Sequence, residues 1–533
     1  MGVIDALASL ALAAAPPAAG PVEVRLEARE TGVAARYLFA EPADTLRLAA
    51  PVSEAHDRVT LDGAPARLTQ GEAQCGRDCR FAEAELLRYA PSPGGYPEIV
   101  QAGACGLWAD VSAFTPLDPV TGEALTTRLT VGEHAVELTG EAPQYVALRA
   151  PERGPACADA PFMAEDRLAA NAARMASDYG LIFGGLAAGA TQVVAAGEDA
   201  LGVALGRGRG GVRGAAAGDD LIFLFADPDA PPAASRVLAV LSHEIAHLWI
   251  GRRARLHPQF EQAWITEGAA EYLSLKQLLR IEAAREADVL SELSRHLNHC
   301  LSALETGRLL LNGSTRSGAF PYNCGTLAAF YADAAAQAAG SSFEAAMADI
   351  VADPAFRSAR SSGLDYLAVL GAHMGAQAER EFSELILAPV DDKPARVAGL
   401  LARAGLGATG DAGGRGPSQT YLKTVLARHA LALLCPVEAG GFRLDEGIVL
   451  ELDRACDGPD GTSVLSAVNG VDPALRPQAA LDVIAAGCNT GAPTRLRLSG
   501  QTLSASCTRP PPDYFGGFTL NEPRALEILS AAP

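Results

Sequence analysis

The chain is almost without lysine. Lys276, Lys393 and Lys423 are the only three in 533 residues, so arginine supplies nearly all the positive charge. With alanine abundant, this imbalance reflects a genomic bias and carries no functional signal. Positive charge as a whole is scarce. Basic residues number 43 against 63 acidic ones, and the net charge of −20 argues against sequence-independent nucleic-acid binding, because such a surface repels a polyanion. The one basic cluster, RGRGGVR from Arg207 to Arg213, is glycine-rich and reads as a solvated loop. Outside the N-terminus there is also no apolar run of roughly eighteen residues, which leaves no spanning helix to expect.

What is present describes a large globular chain. Its composition is 49% hydrophobic and 20% charged, and its length exceeds one ordinary core, which suggests about three or four domains. The first twenty residues, MGVIDALASLALAAAPPAAG, resemble a signal peptide, with Ala6 to Ala15 as the apolar stretch and Asp5 where a basic residue usually stands. The ten cysteines are even in number and sit mostly in loop-like contexts, which suits disulfides in an oxidising compartment. Cys75 and Cys79 have no matching pair nearby and read as disulfide partners rather than half a zinc knuckle. A periplasmic or secreted protein is expected.

A multidomain α+β fold follows from the patterning. In VEVRLEAR, Val22, Val24 and Leu26 alternate with charges, the period of a half-buried strand, and RLTVGEHAVELTG repeats the pattern around Gly132-Glu133. Residues 21–158 are therefore expected to form an all-β, sandwich-like domain after a leader over 1–20. From Asp166 helical patterns dominate, broken by the apolar strand Leu221 to Phe225, and they run through 261–304, 324–340, 342–352 and 365–388. Residues 159–405 are expected to be a mainly helical domain, 406–420 a glycine-rich linker, and 421–533 a small β-rich domain. That last domain reads either as PDZ-like, from its strand, Asn469-Gly470 turn, helix, strand order, or as an unrelated module held by Cys435, Cys456, Cys488 and Cys507.

Within the helical region LSHEIAHLWI places His243 and His247 four residues apart, on one helix face, where both imidazoles can aim at one zinc ion. Glu244, about a quarter turn round, stands beside the metal as a candidate general base. A catalytic zinc takes a third protein ligand. The metzincin positions hold Ile250 and Arg253, which excludes that class, and His257 beside Pro258 reads as a surface residue. WITEGAAEYLS supplies Glu267 as third ligand, in a helix that Thr266 is expected to cap after Trp264 and Ile265. Glu271, one turn further, is placed to orient a ligand histidine.

HEIAHLWIG followed by WITEGAAEYLS resembles the gluzincin aminopeptidases of the aminopeptidase N type, whose motifs are typically HELAHQWFG and WLNEGFAEY. Nineteen residues separate His247 from Glu267, one more than in that family, and the loop RRARLHPQFEQ can absorb it. PYNCG resembles the family's PYEKG block, which implies that Tyr322 donates to the oxyanion of the tetrahedral intermediate; the Cys324 of this block is a candidate partner for Cys300. Where the family has Gly-x-Met-Glu-Asn, whose glutamate binds the substrate's α-amine, this chain has GRGRGGVRGAAAGDD, with Asp219 and Asp220 at the start of the next strand. The related glycyl aminopeptidase type, with a β N-terminal and a PDZ C-terminal domain, is similar in architecture. The resemblance implies a thermolysin-like catalytic domain over 159–405 and a zinc peptidase acting on peptide or protein substrates, without strict aminopeptidase specificity. A non-catalytic exported peptide-binding protein and a zinc hydrolase of a non-peptide substrate remain open alternatives.

Overall fold

A computed structural model describes residues 22–28, 32–48, 57–61, 64–66, 72–87, 99–110, 114–117, 125, 127–131, 134–137, 145–149, 156–158, 163–185, 191–197, 212–217, 220–226, 232–256, 263–304, 320–358, 360–387, 393–409, 419–435, 441–444, 447–452, 456–459, 461–506 and 518–533. The leader over 1–20, residues 207–211 of the basic cluster, His257, Asp219 and the side chains of Cys75 and Cys79 lie outside the described set. The chain divides into two compact units, Met1–Gly154 with Ala196–Val203, and Pro155–Ala195 with Ala204–Pro533.

The described strands of the first unit are β1 (Val22–Ala28), β2 (Gly32–Arg47), β3 (Asp57–Leu61), β4 (Ala64–Ala66), β5 (Glu72–Leu87), β6 (Ile99–Gln101), β7 (Leu107–Asp110), β8 (Thr127–Val131), β9 (His134–Glu137) and β10 (Tyr145–Arg149). They form one sheet in the order β4-β3-β5-β2-β1-β8-β9 and a second in the order β10-β7-β6. Alternation in β1 buries Val22, Val24 and Leu26 on one face, where they join Tyr37 and Leu129 and meet Leu107 and Ala109 of the second sheet. Two sheets filling one core make a sandwich. The expected hairpin is formed by β8 and β9, with Val131 opposite His134.

The second unit opens with β11 (Ala156–Ala158), α1 (Glu165–Phe183), β12 (Gln192–Gly197), β13 (Val212–Ala217) and β14 (Leu221–Ala226). Their sheet runs β11-β12-β14-β13, so β11, which the sequence reading assigned to the all-β region, pairs here. Every residue of β14 is buried, while β13 closes the sheet as its edge among the described residues. There follow α2 (Ala234–His247), α3 (Ala263–Arg280), α4 (Glu286–Leu304), α5 (Phe320–Ala338), α6 (Phe343–Ala352), α7 (Pro354–Arg357), α8 (Gly363–Met374), α9 (Ala376–Leu387) and α10 (Lys393–Arg403).

Three helical expectations need correction. The stretch 261–304 is two helices, parted where Glu282 takes a left-handed φ of 54°, and 365–388 is broken at Gly375, φ 80°. The third concerns Tyr322, which precedes the helix expected over 324–340. α5 begins at Phe320, so Tyr322 lies in its first helical turn, where Pro321 is tolerated because that turn's N–H groups lack helical partners anyway.

The chain ends with β15 (Gly407–Thr409), α11 (Gln419–Leu434), β16 (Gly441–Leu444), β17 (Ile448–Leu452), β18 (Gly461–Val468), α12 (Pro477–Thr490), β19 (Thr494–Leu498), β20 (Gln501–Ala505), β21 (Phe518–Leu520) and α13 (Glu522–Ser530). The start of the expected linker is thus a strand, and β15 pairs antiparallel with β21. β16 to β20 form an antiparallel meander in chain order. After β18, Asn469 and Gly470 both take positive φ, as an Asn-Gly turn requires. α12 packs on the central strands β18 and β19, α11 on β16 and β17, and α13 returns to α3, α4 and α5. Cys300 pairs with Cys324 and Cys435 with Cys456; Cys105, Cys157 and Cys488 are also disulfide-bonded. No helix among the described residues is long and apolar enough to cross a membrane.

Candidate active site

The site begins with how α2 is held. Val237, Leu238, Leu241 and Ile245 bury its apolar face. On the other side Ser242 Oγ donates to Gln277 Oε1 at 2.7 Å and Ser274 Oγ to the Ala239 carbonyl at 3.0 Å, which ties α2 to α3. Just past the helix end, Trp249 packs against Tyr179 and Phe183, and its Nε1 donates to the Gly184 carbonyl at 3.0 Å. The LWIG tail is therefore an anchor that fixes the C-terminal end of α2 to α1.

α2 and α3 bring three donors together. His243 Nε2 and His247 Nε2 are 3.0 Å apart, and each is 3.3 Å from Glu267 Oε2. A zinc ion bound tetrahedrally at about 2.0–2.1 Å needs donors about 3.3 Å apart, so this triangle suits it. The outer nitrogens are occupied elsewhere. His247 Nδ1 faces the Ile250 carbonyl at 3.1 Å, and His243 Nδ1 lies 2.9 Å from Glu271 Oε2, off the N–H axis. Both contacts favour the proton on Nδ1 and turn the Nε2 lone pairs to the shared point. Thr266 does not cap α3 as expected. The helix already starts at Ala263, with Trp264 and Ile265 inside its first turn, and Thr266 Oγ1 donates back to the Ala263 carbonyl.

Charge at the site follows from burial and these contacts. Burial raises the carboxyl pKa of Glu267, but His247 and His243 outweigh it and hold the group ionised below its ordinary range. The same competition, with His243 and His296 as the winners, keeps Glu271 ionised. Glu244 differs. Its burial dominates over the attraction of His243 and His247, and its pKa is raised. Its Oε2 accepts the Ala216 N–H at 2.9 Å, so one carboxylate oxygen is fixed against β13.

Glycines set how closely these groups approach. A Cβ on Gly214 would stand 2.8 Å from Glu244 Cδ and nearer still to its Cγ, so only glycine leaves the base room on β13. Where α3 crosses α5, a Cβ on Gly325 would lie 2.5 Å from Gly268 Cα. The two backbones touch there, which brings Glu267 and Tyr322, on adjoining turns, to one side of the crossing. The Tyr322 ring centroid is 5.7 Å from that of His243, and at 36% exposure it stands on the open side of the site.

All the residues singled out from the sequence, His243, Glu244, His247, Glu267, Glu271 and Tyr322, are thus gathered in one place. Sequence reasoning missed Gly214, which had no signal inside a glycine-rich stretch, and His296 on α4, whose partners are distant in the chain. Gly268 and Gly325 stood within the motif strings EGAAEY and NCG, where their meaning was legible only with the helix crossing.

No protein-family model matches the chain, and no curated protein matches it. Among solved structures it is similar to an aminopeptidase N family protein from Idiomarina loihiensis, with a TM-score of 0.56 at 11% identity, over 96% of this chain and 100% of that one. An M1 zinc metallopeptidase from Deinococcus radiodurans, 16% identical over 70% of this chain and 94% of that one, gives a TM-score of 0.38. At such identity the first likeness shows the fold alone: a multidomain chain of mixed helix and strand, resembling an aminopeptidase N family structure.

Proposed function

We propose that the chain is a zinc-dependent peptidase of the gluzincin type. In this reading His243, His247 and Glu267 hold the metal, Glu271 orients His243, Glu244 is the general base, and Tyr322 donates to the oxyanion. The observation that carries it is the triangle of donors, with sides of 3.0 and 3.3 Å, beside a buried glutamate of raised pKa. Zinc, when bound, supplies Lewis acidity that polarises a carbonyl and brings the pKa of water to about 7. Glu244, steadied by the Ala216 N–H, takes the proton from the attacking water and later delivers it to the leaving amine; a carboxyl with a raised pKa suits both transfers. The Tyr322 hydroxyl donates to the developing oxyanion, a contribution of about 3 kcal/mol to the barrier when preorganised.

A substrate peptide fits as an added strand along the β13 edge, beside the base. β13 reads VRGAAA and carries no carboxylate to bind an α-amine, so strict aminopeptidase action is not expected. The disulfides support the exported setting read from the sequence. α12 covers central strands of the C-terminal meander rather than flanking an edge, and we give that module a structural role, as the disulfide-held alternative to a PDZ. Peptide pools with free and acetylated N-termini, incubated before and after chelation, test the proposal. Cleavage of both pools, lost on chelation and restored by zinc, is expected. Cleavage that resists chelation would remove the metal reading, and strict need of a free amine would reveal an amine anchor outside β13.

A further inference from the structure

Glu271 touches two histidines. Beside its contact with His243 Nδ1, its Oε1 lies 3.0 Å from His296 Nε2. His296 is 2% exposed on α4, and its Nδ1 lies 2.7 Å from Oδ1 of Asn323, the neighbour of Tyr322 on α5. The disulfide Cys300–Cys324 joins the same two helices, one turn beyond His296 and one residue beyond Asn323. A buried path therefore runs His243, Glu271, His296, Asn323, and ends at the segment that carries the candidate oxyanion donor.

Glu292 Oε1 at 3.5 Å and Arg295 Nη2 at 3.3 Å also face His296 Nε2. Glu271, Glu292 and His296 are close enough together to suggest a second metal site. Arg295 already supplies a cation there, since its guanidinium pairs with both oxygens of Glu292. What remains for His296 is a mechanical role. Asn323 Oδ1 and Glu271 Oε1 can both accept from a doubly protonated ring, while Arg295 Nη2 stands beside the same Nε2. Burial and Arg295 oppose that proton, but Glu271 and Glu292 outweigh them and raise the pKa.

We propose that His296 is a positioning residue for the metal site: buried on α4, it grips the far oxygen of Glu271 and holds that carboxylate in the one orientation that aims His243 Nε2 at the ion. The inference rests on the zinc reading given above. A carboxylate free to rotate would leave the His243 ring without a fixed partner, whereas a carboxylate gripped on its far oxygen cannot turn. Groups of this kind, one step behind a ligand, typically change metal affinity by about 10- to 100-fold when removed.

Two polar substitutions separate positioning from mere structure. In His296→Gln the amide nitrogen reaches toward the place of Nε2 and keeps a donor for Glu271. In His296→Asn the amide falls near Nδ1, keeping Asn323 and losing Glu271. Zinc affinity by competition with a chromophoric chelator, and the visible spectrum of the cobalt(II)-loaded chain, report the site without any need for peptide turnover. We expect His296→Gln to keep the wild-type cobalt bands and a zinc affinity within threefold, and His296→Asn to shift the bands and lose at least tenfold. Equal behaviour of the two variants, whether both native-like or both impaired, overturns the proposal while leaving the zinc site standing. Failure of the wild-type chain to bind zinc overturns both.

Discussion

Gly214→Ala adds one methyl group 20 residues before the start of α2 and replaces none of the candidate functional side chains. Gly214 lies in the extended backbone of β13, which alanine adopts readily, and the loss of glycine's freedom in the unfolded chain favours the variant by about 0.4–1 kcal/mol. The cost falls on Glu244. The new Cβ would stand 2.8 Å from Cδ, whereas ordinary contact begins at 3.4 Å, so the carboxyl carbon must retreat by at least 0.6 Å. Cγ, which is nearer, must move further, and the 2.9 Å bond from Ala216 N–H is stretched or broken. A misplacement of about 1 Å at a reacting group costs about 100-fold, so kcat is expected to fall by about 10- to 100-fold. The metal donors are on other residues, and bound zinc should stay at the wild-type level. Steady-state cleavage of a fluorogenic peptide, with elemental analysis of the same sample, decides the matter. Turnover within threefold of wild type would refute the claim that β13 positions the base.

Other perturbations probe the frame around the site. Gly325→Ala forces α3 and α5 apart and should cost about 1–3 kcal/mol, read as a lower Tm together with weaker zinc binding, because Glu267 and the segment bearing Tyr322 meet at that crossing; an unchanged Tm would show that the helices slide freely. Removing Cys300–Cys324 as the double alanine variant, a closure across 24 residues, should lower stability by about 3 kcal/mol in a denaturant titration under oxidising conditions. Burial lowers the pKa of His429 to about 4 and, with help from Arg295 and Arg428, that of His299 to about 3. Both are neutral at pH 7 in either state, but below about 6.5 the unfolded chain binds protons that the fold refuses, so stability falls as pH drops from about 6.5 to 4. His429→Leu should flatten that acid limb, by up to about 3 kcal/mol at pH 4, in Tm measured against pH.

Local patterns made part of this structure legible. His243 and His247 share a helix face because of their spacing, and β1 and β14 follow from alternation and from an unbroken apolar run. Distance in the chain hid the rest. Gly407–Thr409 looked like coil because its partner Phe518–Leu520 lies more than a hundred residues away, and strand pairing of that kind leaves no local trace. The break near Glu282 falls in a run of good helix formers, with no glycine or proline to mark it. The helix expected from 324 left out Phe320 and Pro321, although proline also opens helices, as it does for α5. His296 was silent for a related reason. Its contacts come from α3 and α5, and only the packed helices show that the three belong together.

The account stands or falls on one pairing: zinc content and peptide turnover, measured on the same preparations of the wild-type chain and of Glu244→Gln. It predicts one zinc per chain in both, with turnover in the wild type and a loss of at least 1,000-fold, about 4 kcal/mol, in the variant. Stoichiometric zinc with no cleavage that depends on Glu244 would contradict the peptidase reading and leave only the fold.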